Sequence, residues 1–239
     1  MCIRDRAISA SVFLGSFIWC YHNFELVRQI YDGLNEIGVK YKRNTAYPSG
    51  LVWDIIEPNY DGNYDWSLFE EGINLAEQYG LNLMVTITSM NSKDQRTCHQ
   101  CPETLKKCPR LNPCNWSKYE TFLRTAIRKY GNKVKYWQIE NEPKEGGKFY
   151  TDTPENYAEL LKKSYLIIKQ ECANCKVVMA GMVGHNPTKY YNKVMDILKN
   201  DPDCQNHGCF DIFDAHIGGR NGYEEVEEGY DVLRDWLDS

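Results

Sequence analysis

The run Lys135-Tyr136-Trp137-Gln138-Ile139-Glu140-Asn141-Glu142-Pro143 carries a strand-like apolar alternation and stops at an Asn-Glu-Pro tripeptide. Proline cannot donate to a sheet ladder, so the strand is expected to end there. Glu142 then stands at the carboxyl end of a strand, beside an amide and an aromatic. In α/β barrels that end of the sheet is the active-site face. A carboxyl group in such a place is a candidate proton donor rather than a solubilising charge. Two further residues close apolar runs in the same way: Arg43 after 39–41 and His216 after 210–215. Asp214 and Glu140 are weaker acidic candidates on neighbouring strands.

The elements that must position these groups follow a repeating order: a short apolar run, a polar turn, then an amphipathic segment of about four turns. Strands are predicted at 12–19, 39–43, 81–88, 134–141, 176–182 and 210–216. Helices are predicted at 24–37, 66–79, 116–130, from 154, at 190–198 and at 222–237. Gly38, Gly80 and Gly131 close the first three helices, and Thr153-Pro154 opens the fourth with an N-cap and a first-turn proline. Trp116, Tyr119, Phe122, Leu123, Ala126, Ile127 and Tyr130 form one continuous stripe. Strands alternating with helices imply parallel pairing with right-handed crossovers. No Gly-x-Gly-x-x-Gly follows the first strand, so a barrel is favoured over a dinucleotide fold. The expectation is one incomplete (β/α)8 barrel domain over residues 7–239, with six of eight units present and residues 1–6 extraneous.

The chain has 239 residues, 26% charged and 42% apolar, and 28 basic against 33 acidic residues give a net charge of −5. No basic run is present, so nucleic acid is not an expected partner. No stretch approaches the roughly 18 apolar residues that span a membrane. Ten cysteines are many for a cytosolic enzyme. Eight of them fall in three groups, namely Cys98, Cys101, Cys108 and Cys114, then Cys172 and Cys175, then Cys204 and Cys209. Disulfide staples on the loops of a secreted protein are the favoured reading. A zinc site in the first group is the rival, and its four cysteines allow three disulfide pairings. Cys20, after the first strand, reads as a buried thiol. Asn115-Trp116-Ser117 matches a glycosylation acceptor.

Several motifs occur together and in order: Gly38-Val39-Lys40-Tyr41-Lys42-Arg43, Trp53-Asp54-Ile55-Ile56-Glu57-Pro58, Gly62-Asn63-Tyr64-Asp65-Trp66, Tyr136 to Pro143, and Phe210-Asp211-Ile212-Phe213-Asp214-Ala215-His216. The set resembles the clan A retaining glycoside hydrolases, (β/α)8 enzymes that include cellulases, β-xylosidases and α-L-iduronidases, over about residues 12–238. Such enzymes need no cofactor or metal and act on oligosaccharides or polysaccharides. The resemblance implies that Glu142 is the acid/base, with a pKa raised towards neutrality, and that Asn141 holds the sugar 2-hydroxyl. Arg43 would sit near the nucleophile, keeping that carboxylate ionised and oriented, and His216 would line the subsite or hydrogen-bond a catalytic carboxylate. Trp137 is either core or a face for a sugar ring, and Trp53 and Glu57 are expected to shape packing. Gly218 departs from the pattern, standing where many relatives carry an aromatic. The nucleophile of the clan is a glutamate ending strand seven, roughly 5 Å from the acid in retaining enzymes. Glu224, Glu225, Glu227 and Glu228 open a helix instead and are not assigned that role, so the nucleophile is expected outside this chain. The alternative is a carbohydrate-binding barrel without the chemistry.

Overall fold

The computed structural model describes residues 24–44, 50–98, 101, 108–183, 189–205, 207–216 and 223–238. The predicted strand at 12–19, Cys20 and Gly218 lie outside the described residues. The other five predicted strands are present. In chain order the elements are α1 (Phe24–Glu36), β1 (Tyr41–Asn44), β2 (Leu51–Val52), α2 (Trp53–Ile56), α3 (Ser67–Gln78), β3 (Asn82–Thr88), α4 (Ser92–Thr97), α5 (Trp116–Tyr130), β4 (Tyr136–Ile139), α6 (Pro154–Glu171), β5 (Lys176–Val183), α7 (Lys189–Asn200), β6 (Ile212–His216) and α8 (Tyr223–Asp238). All pairings are parallel, in the order β1-β3-β4-β5-β6, with β2 beside the end of β3. The sheet curls as a half-barrel with helices packed against it.

Local chemistry explains the helices. Asn115 caps α5 by accepting from Lys118 N–H at 3.1 Å, and Thr153 caps α6 from Asn156 N–H at 3.2 Å. The stripe on α5 is buried at Tyr119, Phe122, Leu123, Ala126, Ile127 and Tyr130. Fully burying each larger apolar side chain of that kind stabilises by about 1.5–3 kcal/mol. Phe122 stacks between Trp53 and Trp66, at ring centroid distances of 5.7 and 6.1 Å. The short elements β2, α2 and α4 were not predicted, because two to six residues are too few to show a period. Trp53 and Glu57 are structural: the indole N–H donates to Glu57 Oε2 at 2.7 Å, and Glu57 Oε1 accepts from Gly62 N–H at 2.7 Å.

Disulfides join Cys98 to Cys114, Cys101 to Cys108, Cys172 to Cys175 and Cys204 to Cys209. The first two form a nested pair. Its four sulfurs are consumed in S–S bonds and offer no thiolate to zinc, which removes the zinc reading. Among the described residues no helix is long and apolar enough to cross a membrane.

One irregularity shapes the site. Met179 pairs with Phe213 and Met182 with Ala215, so β5 carries one more residue than β6 between these pairs. The extra residue forms a β-bulge at Ala180-Gly181, which re-aims the backbone next to His216. Two buried tyrosines hold it. Tyr157 Oη accepts from Ala180 N–H at 2.8 Å and donates to Ile139 C=O at 3.1 Å. Tyr191 Oη donates to Gly181 C=O at 3.0 Å.

Candidate active site

Side chains alternate across a strand, and the alternation sorts these residues. Trp137 is fully buried in the core between sheet and helices, and Phe213 and Ala215 pack against that core. Trp137 therefore presents no face to a sugar, which corrects the expectation of a substrate contact. Its neighbour Gln138 points to the concave side, as do Arg43, Asp214 and His216. They share that side at the carboxyl ends of β1, β4 and β6.

Strand β4 ends at Ile139, four residues before Pro143, not at the proline itself. The cause is the backbone: Glu140 and Glu142 take left-handed φ values of 65° and 43°. Such conformations cost on the order of 1–3 kcal/mol each for a residue with a side chain, and persist only where the surroundings fix them. Here Glu140 N–H donates to Ile87 C=O at 3.0 Å, and Glu140 Oε1 accepts from Ser89 N–H and Ser89 Oγ at 2.6 and 2.7 Å. The turn that aims Asn141 and Glu142 is thus tied to the end of β3. Burial pushes the Glu140 carboxyl up, against the two Ser89 donors and the charge of Arg110.

The concave side holds one connected network. Arg43 Nη2 donates to Asn141 Oδ1 at 2.5 Å and Arg43 Nε to Gln138 Oε1 at 2.6 Å. Gln138 Oε1 also accepts from Thr86 Oγ1 at 2.9 Å, and Gln138 Nε2 donates to Asp214 Oδ2 at 2.6 Å. Arg43 Nε lies 3.6 Å from Asp214 Oδ2, with both side chains almost fully buried. Arg43 Nη1 is buried without an acceptor among the described residues. His216 bridges two carboxylates: Nδ1 is 2.6 Å from Glu142 Oε1, and Nε2 is 3.2 Å from Asp214 Oδ2. Burial pushes Asp214 up, but His216, Arg43 and Gln138 outweigh it and hold the carboxyl below its ordinary range. Burial lowers Arg43, while the charges of Asp214 and Glu142 raise it. Glu142 and His216 keep 30% and 17% of their side-chain surface open, so this end of the network faces outward.

No family model and no curated relative matches the chain. Solved structures do. A family 39 glycoside hydrolase from the gut symbiont Bacteroides cellulosilyticus WH2 superposes with a TM-score of 0.51 at 18% identity, over 70% of this chain and 32% of its own. A glucosidase from Croceicoccus marinus superposes with a TM-score of 0.55 at 16% identity, over 71% of this chain and 37% of its own. The fold shared with both is an incomplete parallel α/β barrel. The chain spans about a third of the length of these structures.

On this half-barrel the structure brings four of the five predicted site residues together, namely Arg43, Asn141, Glu142 and His216. Sequence reasoning did not single out Gln138, Ser89 and Gly181, and gave Asp214 only as a weaker candidate. Gln138 had a signal, being polar inside an apolar strand. Asp214 had one too, standing two residues before His216 and therefore on the same face. Gly181 is a glycine inside a buried run, a mark of a bulge or a close approach. A Cβ there would lie 2.3 Å from His216 Nε2 and 2.8 Å from Asp214 Oδ2.

Proposed function

We propose that this chain carries the acid/base half of a retaining glycoside hydrolase acting on the O-glycosidic bonds of oligosaccharides or polysaccharides. The observation that carries the reading is the cluster itself: Asn141-Glu142 held between Arg43 and His216, from three strands, at the carboxyl end of a glycoside hydrolase barrel.

Glu142 protonates the leaving oxygen while a second carboxylate attacks the anomeric carbon from the opposite face. The attacking carboxylate is not assigned to any residue described here. Arg43 Nη1, buried and without an acceptor among the described residues, is a donor suited to orient it. Asn141 has its Oδ1 engaged by Arg43, which leaves the amide Nδ2 as the donor for a sugar hydroxyl. In the second half of the reaction Glu142 takes a proton from water, and the anomeric configuration is retained. The four disulfides fit an oxidising compartment, and we place the protein outside the cell.

The test is Glu142→Gln in the full-length protein, assayed on oligosaccharides and on aryl glycosides with good leaving groups. Turnover of the oligosaccharides is expected to fall by about 10²–10⁴, the usual share of general acid catalysis, while the first step on the aryl glycosides is spared. Full activity on the oligosaccharides would overturn the assignment.

A further inference from the structure

We propose that Asp214 is a positioning residue for Glu142, acting through His216. The inference rests on Glu142 being the acid/base and adds a residue that never touches the sugar.

The geometry leaves His216 little freedom. One ring nitrogen meets Glu142 Oε1 at 2.6 Å and the other meets Asp214 Oδ2 at 3.2 Å. The floor beneath the ring is Gly181, where even a methyl group would collide with Nε2 and Cδ2. Asp214 is itself held, since its Oδ2 accepts from Gln138 Nε2 at 2.6 Å and lies 3.6 Å from Arg43 Nε. Of the charged and titratable groups around it, Glu142 from the turn after β4 and Asp214 from β6 contact the ring, while Arg43 from β1 and the Tyr191 hydroxyl from α7 act electrostatically with those two carboxyl groups. Gln138 from β4 is neutral.

Proton bookkeeping follows from this arrangement. An ionised Asp214 only accepts, so the proton of the Nε2···Oδ2 contact belongs to Nε2. Nδ1 and Glu142 Oε1 then share one further proton across 2.6 Å, written either as O–H···N or as N–H···O. That proton leaves Oε1 for the glycosidic oxygen as the C–O bond breaks, with the bonding pair going to the leaving group. The water that completes turnover returns a proton to the pair. Asp214 gains and loses none; its charge fixes the ring tautomer and offsets the positive charge when the shared proton sits on Nδ1. Without that charge, Nε2 loses its fixed acceptor and Nδ1 its fixed role towards Glu142.

The experiment is a double-mutant cycle in the full-length protein with Asp214→Asn, which keeps the side-chain shape, and His216→Gln. On oligosaccharide substrates Asp214→Asn is expected to lower kcat by roughly 10- to 100-fold with little change in KM, a part of what general acid catalysis supplies. In the His216→Gln background the same change is expected to have little further effect, because coupled residues are not additive. Multiplying losses would show that Asp214 acts by another route, through Arg43, and would overturn the proposal. A second readout needs no turnover: long-range proton–nitrogen spectra of the histidine rings, with His216 assigned by its loss in His216→Gln. The wild type is expected to keep Nε2 protonated and Asp214→Asn to show mixed tautomers; identical spectra would overturn the proposal. If Asp214→Asn fails to fold, Asp214→Ser, which removes the carboxylate charge with a smaller side chain, is read by the same spectra. A fully active Glu142→Gln would sink the acid/base reading and with it the kcat effect expected of Asp214→Asn, whereas the spectra decide the Asp214–His216 contact separately.

Discussion

Gly181→Ala tests the packing of the site with a single methyl group. The added Cβ would lie 2.3 Å from His216 Nε2, 2.6 Å from Cδ2 and 2.8 Å from Asp214 Oδ2. Non-bonded carbon contacts are optimal at about 3.5–4.0 Å, so the ring must retreat by about 1 Å. Overpacking of this kind costs about 1–3 kcal/mol. For a chain of 239 residues each kcal/mol moves Tm by about 2–4 °C, so a fall of about 2–12 °C is expected. Moving the ring drags its contact with Glu142, and a displacement of about 1 Å in a catalytic arrangement costs on the order of 100-fold in rate. The control is Gly33→Ala on α1, where the added Cβ meets nothing within 4 Å. Removing a glycine from a helix interior stabilises by about 0.5–1 kcal/mol, so this variant should melt about 1–4 °C higher with unchanged activity. Thermal melts by circular dichroism and initial rates on one oligosaccharide read both variants. A Gly181→Ala protein that melts with the wild type and turns over at its rate would refute the packing argument.

Two further outcomes follow from the same site. Tyr157→Phe removes the hydroxyl that serves Ala180 N–H and Ile139 C=O, leaving two buried backbone groups unpaired at the bulge. It is expected to cost about 2–4 kcal/mol in a denaturant titration, and a loss under 0.5 kcal/mol would show the hydroxyl to be dispensable. Glu140 carries a pH signature. Burial raises its folded pKa above the unfolded value, so its protonated form favours the folded state. The associated stability is fully present below the unfolded value, near 4.3, and is lost as pH rises towards the folded one. Glu140→Gln does not titrate. Its stability relative to wild type should therefore improve between pH 4 and pH 7, measured by melting both proteins across that range; a pH-independent difference would contradict the burial argument.

Much of the scaffold was legible because it is written in neighbouring residues. The α5 stripe from Trp116 to Tyr130, the Thr153-Pro154 start of α6 and the apolar run of β5 each declare their element by period or cap. The site was legible in part. Arg43, Glu142 and His216 each end an apolar run, and a strand that ends in a polar group places that group at the rim of a sheet. Trp137 misled because sequence shows that it belongs to a strand but not which face of the strand looks inward. Register decides that face, and register is a matter of pairing with β3 and β5.

The chain alone therefore determined the alternation of strands and helices, the cysteine groups and the residues that could move protons. The tertiary structure decided which cysteines pair, that Glu140 and Glu142 turn the chain through left-handed backbone, and that a bulge at Ala180-Gly181 makes room for the His216 ring between two carboxylates. The physical reason is range. Periodicity and capping act within a few residues, whereas Asp214 and Gln138, or His216 and Glu142, are separated by more than seventy residues and meet only once the parallel strands are in register.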